Sequence, residues 1–296
     1  MQLDCICLFM GGTLYQREDM GYSVQPARVK KVDVNQKYFR PSCLPALNSR
    51  LATYEFFNPY YDKKPEEIHL PVKLTATPED TVLNYFSILR EAENLNEKAI
   101  GGCGTVGMSR IPYPIAYNFL SDDYQKRLGY EDFLKSFQDI GYINLIKLQR
   151  VFEDKDASQY FFEIETIEGS RKGVTYFAYY YGFIHLKKEG NHLFKIQDIS
   201  LFGEDFLCAA YHGWDHDAEA VVEVKYGNWC KLVKKIYPTQ QNGYVKNVYI
   251  NGTDGHDYLF IFIVLTNGTD VEIAQYKKYA NGQWILVNMK PEKCVE

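Results

Sequence analysis

The chain has 296 residues, room for about two domains of roughly 100–200 residues each. Hydrophobic residues make up 46% and charged residues 24%, which excludes a disordered chain. The formal net charge is −5 and the lysines and arginines are scattered, which excludes a general nucleic-acid binder with its basic face.

Tyrosine, with 25 residues, supplies most of the 16% aromatic content. Its apolar body and polar tip suit cavity walls, interfaces and β-rich cores. Two small basic clusters, Arg28-Val-Lys-Lys31 and Lys231 with Lys234 and Lys235, read as solvated surface. The seven cysteines are Cys5, Cys7, Cys43, Cys103, Cys208, Cys230 and Cys294. None has zinc or redox spacing. One or two bridges fit an exported chain and buried thiols fit a reducing compartment, so cysteine usage leaves the compartment open.

In chain order, Cys5 to Leu14 is apolar but too short to span a bilayer. It reads either as the tail of a membrane anchor that starts upstream of residue 1, or as a short strand or packed arm. Residues 15 to 75 are broken by Pro26, Pro41, Pro45, Pro59, Pro65 and Pro71 and read as an extended arm. Thr77-Pro-Glu-Asp80 is a strong helix start, with a Thr cap, Pro in the first turn and acids beside the helix N-terminus. Val82, Tyr85, Phe86, Leu89 and Ala92 then share one face, which predicts a helix to about Leu95. Gly101 to Gly107 is a loop. Ser121 caps a short helix through Leu128, and a second runs from Glu131 to Ile140.

After Gly141 the period changes, and strands are predicted at about 142–153, 158–168, 173–187 and 192–202. Gly173 to Leu186 holds six aromatics and almost no charge, which predicts a central strand covered on both faces. Thr175, Phe177, Tyr179, Tyr181, Phe183 and His185 share one side. Tyr176, Ala178, Tyr180, Gly182, Ile184 and Leu186 share the other. A connector with Tyr211-His-Gly-Trp-Asp-His216 leads to a second helix, predicted over Ala218 to Ile236. Strands follow at about 243–251, 257–266, 270–280 and 283–288, with Asn267-Gly268 and Asn281-Gly282 as hairpin turns.

Helices followed by long meandering strands predict an α+β fold with helices on one face of a curved antiparallel sheet. The domains are expected at 1–75 (segment and arm), 76–212 and 213–296. The stretch Thr77 to Leu201 resembles the NTF2-like group, through Thr77 to Phe86, Asp132-Phe-Leu-Lys-Ser-Phe137 and the strands after Gly141. Residues 217 to 290 resemble a smaller cystatin-like or NTF2-like unit. The resemblance implies a cone of sheet and helices able to hold a ligand, and it leaves function open.

Gly102-Cys-Gly-Thr-Val-Gly107 has the letters of a dinucleotide fingerprint, but a helix precedes it and prolines follow, so it reads as a loop. His212 and His216, beside Asp215 and Asp217, offer metal ligands whose convergence the spacing leaves undecided. Asn251 to Asp257 lacks the closing Glu of a calcium loop and reads as a hairpin. For catalysis, His185 and Asp198 are the candidates, with burial expected to raise the aspartate pKa. Tyr142, Phe177, Tyr179 and Tyr181 are the candidate ligand-binding residues of the cone. No motif calls for a cofactor.

The expected function is a non-catalytic protein of the bacterial cell envelope or extracellular space that binds a partner protein or itself. The alternative is a carrier of a small apolar ligand, or a lyase or isomerase, using an aromatic pocket. A cytoplasmic location is the third option.

Overall fold

A computed structural model describes residues 7–15, 42, 44–50, 54–95, 108–190, 193–206 and 213–295. The chain is α+β, mostly sheet with few helices, and forms two compact units, Met1–Gly203 and Glu204–Glu296. The loop at Gly101–Gly107, five residues of interest (Cys5, Cys43, Cys103, Cys208 and His212) and the Arg28–Lys31 cluster lie outside the described residues.

In the first unit a six-stranded sheet runs β1 (Cys7–Phe9), β2 (Gly12–Tyr15), β6 (Leu193–Gly203), β5 (Tyr176–Glu189), β4 (Ala157–Glu168) and β3 (Ile140–Glu153). From Cys7 to Tyr15 the apolar N-terminal stretch is therefore a short hairpin, with β2 parallel to β6. The aromatic strand β5 lies in the interior of the sheet, paired on both sides. Gly182 makes that pairing possible: a Cβ there would sit 1.9 Å from the Ser200 carbonyl oxygen.

After the one-turn helix α1 (Tyr54–Phe57), helix α2 (Pro78–Arg90) supplies the main cover of the sheet. The Thr77 side chain accepts from the Asp80 N–H at 3.0 Å, so the N-cap forms as the residues demand. The helix ends earlier than Leu95. Beyond Arg90 the backbone finds tertiary partners instead, with Glu93 N–H donating to the Ser109 carbonyl and Asn94 N–H to that of Ile140. Val82, Tyr85, Phe86 and Leu89 pack with Ile143, Phe162, Ile184, Ile199 and Leu201 in one buried cluster. Helices α3 (Pro112–Tyr117), α4 (Asp122–Arg127) and α5 (Tyr130–Lys135) add Tyr113, Tyr124 and Phe133 to it. The periodicity misses α3, because its prolines, which fit a first helical turn, read as breakers.

In the second unit β7 (Val233–Ile236), β9 (Val245–Gly252), β10 (Asp257–Val264), β11 (Asp270–Lys278) and β12 (Trp284–Val287) form an antiparallel sheet, with β8 (Gln240–Asn242) also paired to β9. The helix predicted to run to Ile236 is shorter. It starts as α6 (Ala218–Val221), widens into a π-helix over Val222–Trp229, and Val233 and Ile236 belong to β7. Lys231, at φ +54°, ends the helical path. A disulfide joins Cys230 to Cys294. Val221, Val222 and Tyr226 pack on Val248, Ile250, Tyr258, Phe260 and Phe262. The predicted turns form with Gly268 and Gly282 at positive φ.

Candidate functional site

The register of the first sheet sorts its side chains into two faces. Tyr180, Ile184 and Leu186 of β5 pack into the helix-covered cluster. Tyr142, Phe177, Tyr179, Tyr181, His185 and Asp198 fall on the opposite face, as the pairs Glu165↔Tyr179, Glu163↔Tyr181 and His185↔Asp198 require. The structure therefore brings these residues onto one face and, apart from Tyr142, whose ring and hydroxyl meet Arg90 of α2, turns them away from the helix-covered interior they were expected to line. That interior is filled. Its cavity, bounded by Tyr85, Phe86, Phe162 and Ile199 among others, is about 10 Å³, room for at most one water. The Tyr85 hydroxyl is buried there without a hydrogen-bond partner, and burial holds its pKa well above the usual tyrosine value.

The face away from the helices carries an aromatic ladder. Tyr15 stacks on Phe202 and Phe202 on Tyr181, each at 5.2 Å, and Tyr181 on Phe161 at 6.1 Å. Beside it lies a buried polar group that sequence reasoning missed. Lys147 Nζ donates to Glu163 at 2.7 Å, and both side chains are almost fully buried. Asn144 and the Tyr179 hydroxyl donate to the two oxygens of Glu165, at 3.0 and 2.5 Å. The available signal is the charge alternation of Glu163-Ile-Glu165 within an apolar strand. Tyr142 sits apart, accepting from Arg90 Nε–H at 2.5 Å.

His185 lies at the other end of β5, in an open groove of about 610 Å³ at the β3–β4 turn. Asp154, Lys155, Asp156, Gln159 and Lys187 share the lining. Gln159 Nε2 lies 3.4 Å from His185 Nε2. Desolvation lowers the His185 pKa, and the Asp198 carboxylate opposes that shift. Asp198 is not the buried base the sequence suggests. Its side chain is 41% exposed and lies 3.7 Å from Arg127. An imidazole in an open groove, with a solvated carboxylate on the neighbouring strand, can bind and exchange protons, but this arrangement does not exclude water from a reacting group.

In the second unit His216 Nδ1 lies 2.9 Å from the Thr269 hydroxyl and its Nε2 3.8 Å from Asp215. Among the described residues no group of three or more His, Cys, Asp or Glu is placed to hold a metal. The Asn251–Asp257 turn commits its carboxylate internally. Asp254 accepts from Tyr258, Lys277 and the His256 N–H. Burial raises its pKa, but these donors outweigh that and hold it at about 2.

Among the described residues of the second unit, the edge strand β12 carries a run of exposed apolar side chains. Trp284, Ile285 and Leu286 are 36%, 45% and 38% exposed, so both faces of the strand present apolar side chains. Comparison with protein-family models, curated proteins and solved structures finds no match. No described helix is long and apolar enough to cross a membrane.

Proposed function

We propose that this is a non-catalytic protein of the bacterial cell envelope that acts by binding another protein. The observation that carries the reading is the apolar edge at Trp284–Val287, a surface that soluble monomers normally blunt. The filled interior of the first unit supports it by leaving no space for a drug-sized ligand. The Cys230–Cys294 bridge supports an oxidising compartment. In the same reading the first unit is NTF2-like, with α2 on a long-stranded sheet, and the second is cystatin-like, with one helix on a meander.

A photo-reactive side chain at Trp284 of the full chain tests the reading in bacterial cells, with the same group at Lys155 as control. A discrete protein adduct is expected at 284 and none at 155. Adducts at 155 alone would contradict it.

The groove at His185 favours a second reading, a small-ligand binder or a lyase or isomerase. In that case His185→Ala and Asp198→Asn abolish function. In the first reading they leave it unchanged.

A further inference from the structure

The second unit contains four Asn-Gly pairs: Asn242-Gly243, Asn251-Gly252, Asn267-Gly268 and Asn281-Gly282. In such a pair the backbone nitrogen of the glycine can attack the side-chain amide of the asparagine, because no side chain shields that nitrogen. Attack needs an unbonded glycine N–H, an asparagine side chain free to turn, and a backbone that opens at small cost. The four sites differ in these respects.

Three of them are locked. Gly252 N–H donates to the His256 carbonyl at 2.7 Å, Gly268 N–H to that of Leu265 at 3.0 Å and Gly282 N–H to that of Tyr279 at 2.8 Å. Their asparagine side chains are engaged too. Asn251 donates to Asp257 at 3.1 Å. Asn267 donates to the Asp205 carbonyl at 3.1 Å and accepts from Thr269 N–H at 3.0 Å. Asn281 donates to the Gln283 side chain at 2.8 Å and accepts from its N–H at 3.0 Å.

Asn242 is the exception. Among the described residues, neither its side chain nor the Gly243 N–H has a hydrogen-bond partner. Both residues are exposed, and a Cβ on Gly243 would meet nothing within 4 Å. Gly243, at φ +59°, and Tyr244 make the two-residue turn between β8 and β9. Strand β8 is three exposed residues paired to β9 alone. Turning the Asn242 backbone therefore breaks one terminal pair, Asn242↔Val245, and leaves the packed sheet intact.

We propose that Asn242 is a self-modification site, at which the folded chain converts asparagine to aspartate and isoaspartate with water as the only co-reactant. The Gly243 nitrogen loses its proton and attacks Asn242 Cγ. The N–Cγ bond forms, the Cγ–Nδ2 bond breaks, and ammonia leaves with a proton in place of the one lost. Water then adds to one of the two carbonyls of the five-membered imide and breaks its bond to nitrogen. Opening at Cγ gives aspartate. Opening at the main-chain carbonyl gives isoaspartate, which adds a carbon to the backbone at the end of β8 and removes the Asn242↔Val245 pairing. Either product places a new carboxylate at the hairpin tip.

The test is incubation of the full chain at mildly alkaline pH, followed by digestion and mass spectrometry of the four sites. Conversion at Asn242 is expected to run about tenfold faster than at Asn251, Asn267 or Asn281, whose locks must open first. Its rate should rise with pH, because the attacking nitrogen must lose a proton. In denaturant the locks are gone, and the four rates should converge. Asn242→Gln, which can close only a six-membered ring, should abolish conversion at 242 and leave the other three sites unchanged. Equal rates at all four sites of the native chain, or a lead for Asn281, would overturn the proposal. A lead for Asn242 that persists in denaturant would overturn it too, since the neighbouring residues and not the fold would then set the order.

Discussion

Both sheets are built around a helix followed by a meander, the first with the β1–β2 hairpin added in parallel at β6, yet they end with different surfaces. The first has buried side chains on both faces, with apolar residues under α2 and the aromatic ladder with Lys147–Glu163 on the other side. The second packs one face against α6 and the π-helix and leaves the β12 edge exposed. Burial on both faces gives a strand such as β5 its continuous aromatic run. It also removes that surface from use. What the second unit lacks in cover it gains as a surface another chain can reach.

The strongest way to break this contrast is to empty one side of it. Phe162→Ala, in the filled interior, is expected to cost about 3–5 kcal/mol, read by denaturant unfolding. Trp284→Ala, at the edge strand, loses only its ring contacts with Tyr249 and Lys278 and should cost about 1 kcal/mol. Similar losses at both sites would erase the distinction between filled core and free edge. Next in size is the covalent tie of the second unit. Cys294→Ser opens a bridge that spans 64 residues and should cost about 2–5 kcal/mol. The loss should appear in the unfolding transition of residues 204–296 and not in that of the first unit. Thr77→Ala removes the α2 cap and should cost about 1 kcal/mol, with Thr77→Ser recovering most of it.

The smallest effect sharpens the chemistry of the first sheet. His185 should titrate below the ordinary histidine value of 6.5, followed by its ring proton resonances. Asp198→Asn should lower it further, because the carboxylate favours the protonated ring. A depressed folded-state pKa means that His185 contributes stability above its unfolded pKa. That contribution falls away as the pH drops through the unfolded value toward the folded one. A His185 that titrates above 6.5 would reverse this account of the groove.

Much of this architecture was legible in the residues. The Thr77-Pro-Glu-Asp80 cap, the Ser121 cap and the two Asn-Gly turns act through local chemistry, so their positions follow from sequence. The strands after Gly141 follow from their period. Other features needed tertiary information. The prolines of α3 signal a break unless neighbours stabilise the turn they begin. Val233 and Ile236 fit a helical stripe equally well until pairing with β9 makes them a strand. The two sides of β5 could be listed from alternation, but which one meets α2 depends on packing. That choice moved Phe177, Tyr179 and Tyr181 out of the expected pocket. The bare edge at β12 was hidden for the same reason, since edge position is a property of strand order.

The contrast between the sheets is tested most directly by native amide exchange on the full chain without any ligand. The account predicts slow exchange at Tyr181 and Ile184 in β5. It predicts fast exchange at Trp284 and Leu286, whose N–H groups alternate outward from β11, beside a slower Ile285. Trp284 and Leu286 amides as protected as those of β5 would contradict it.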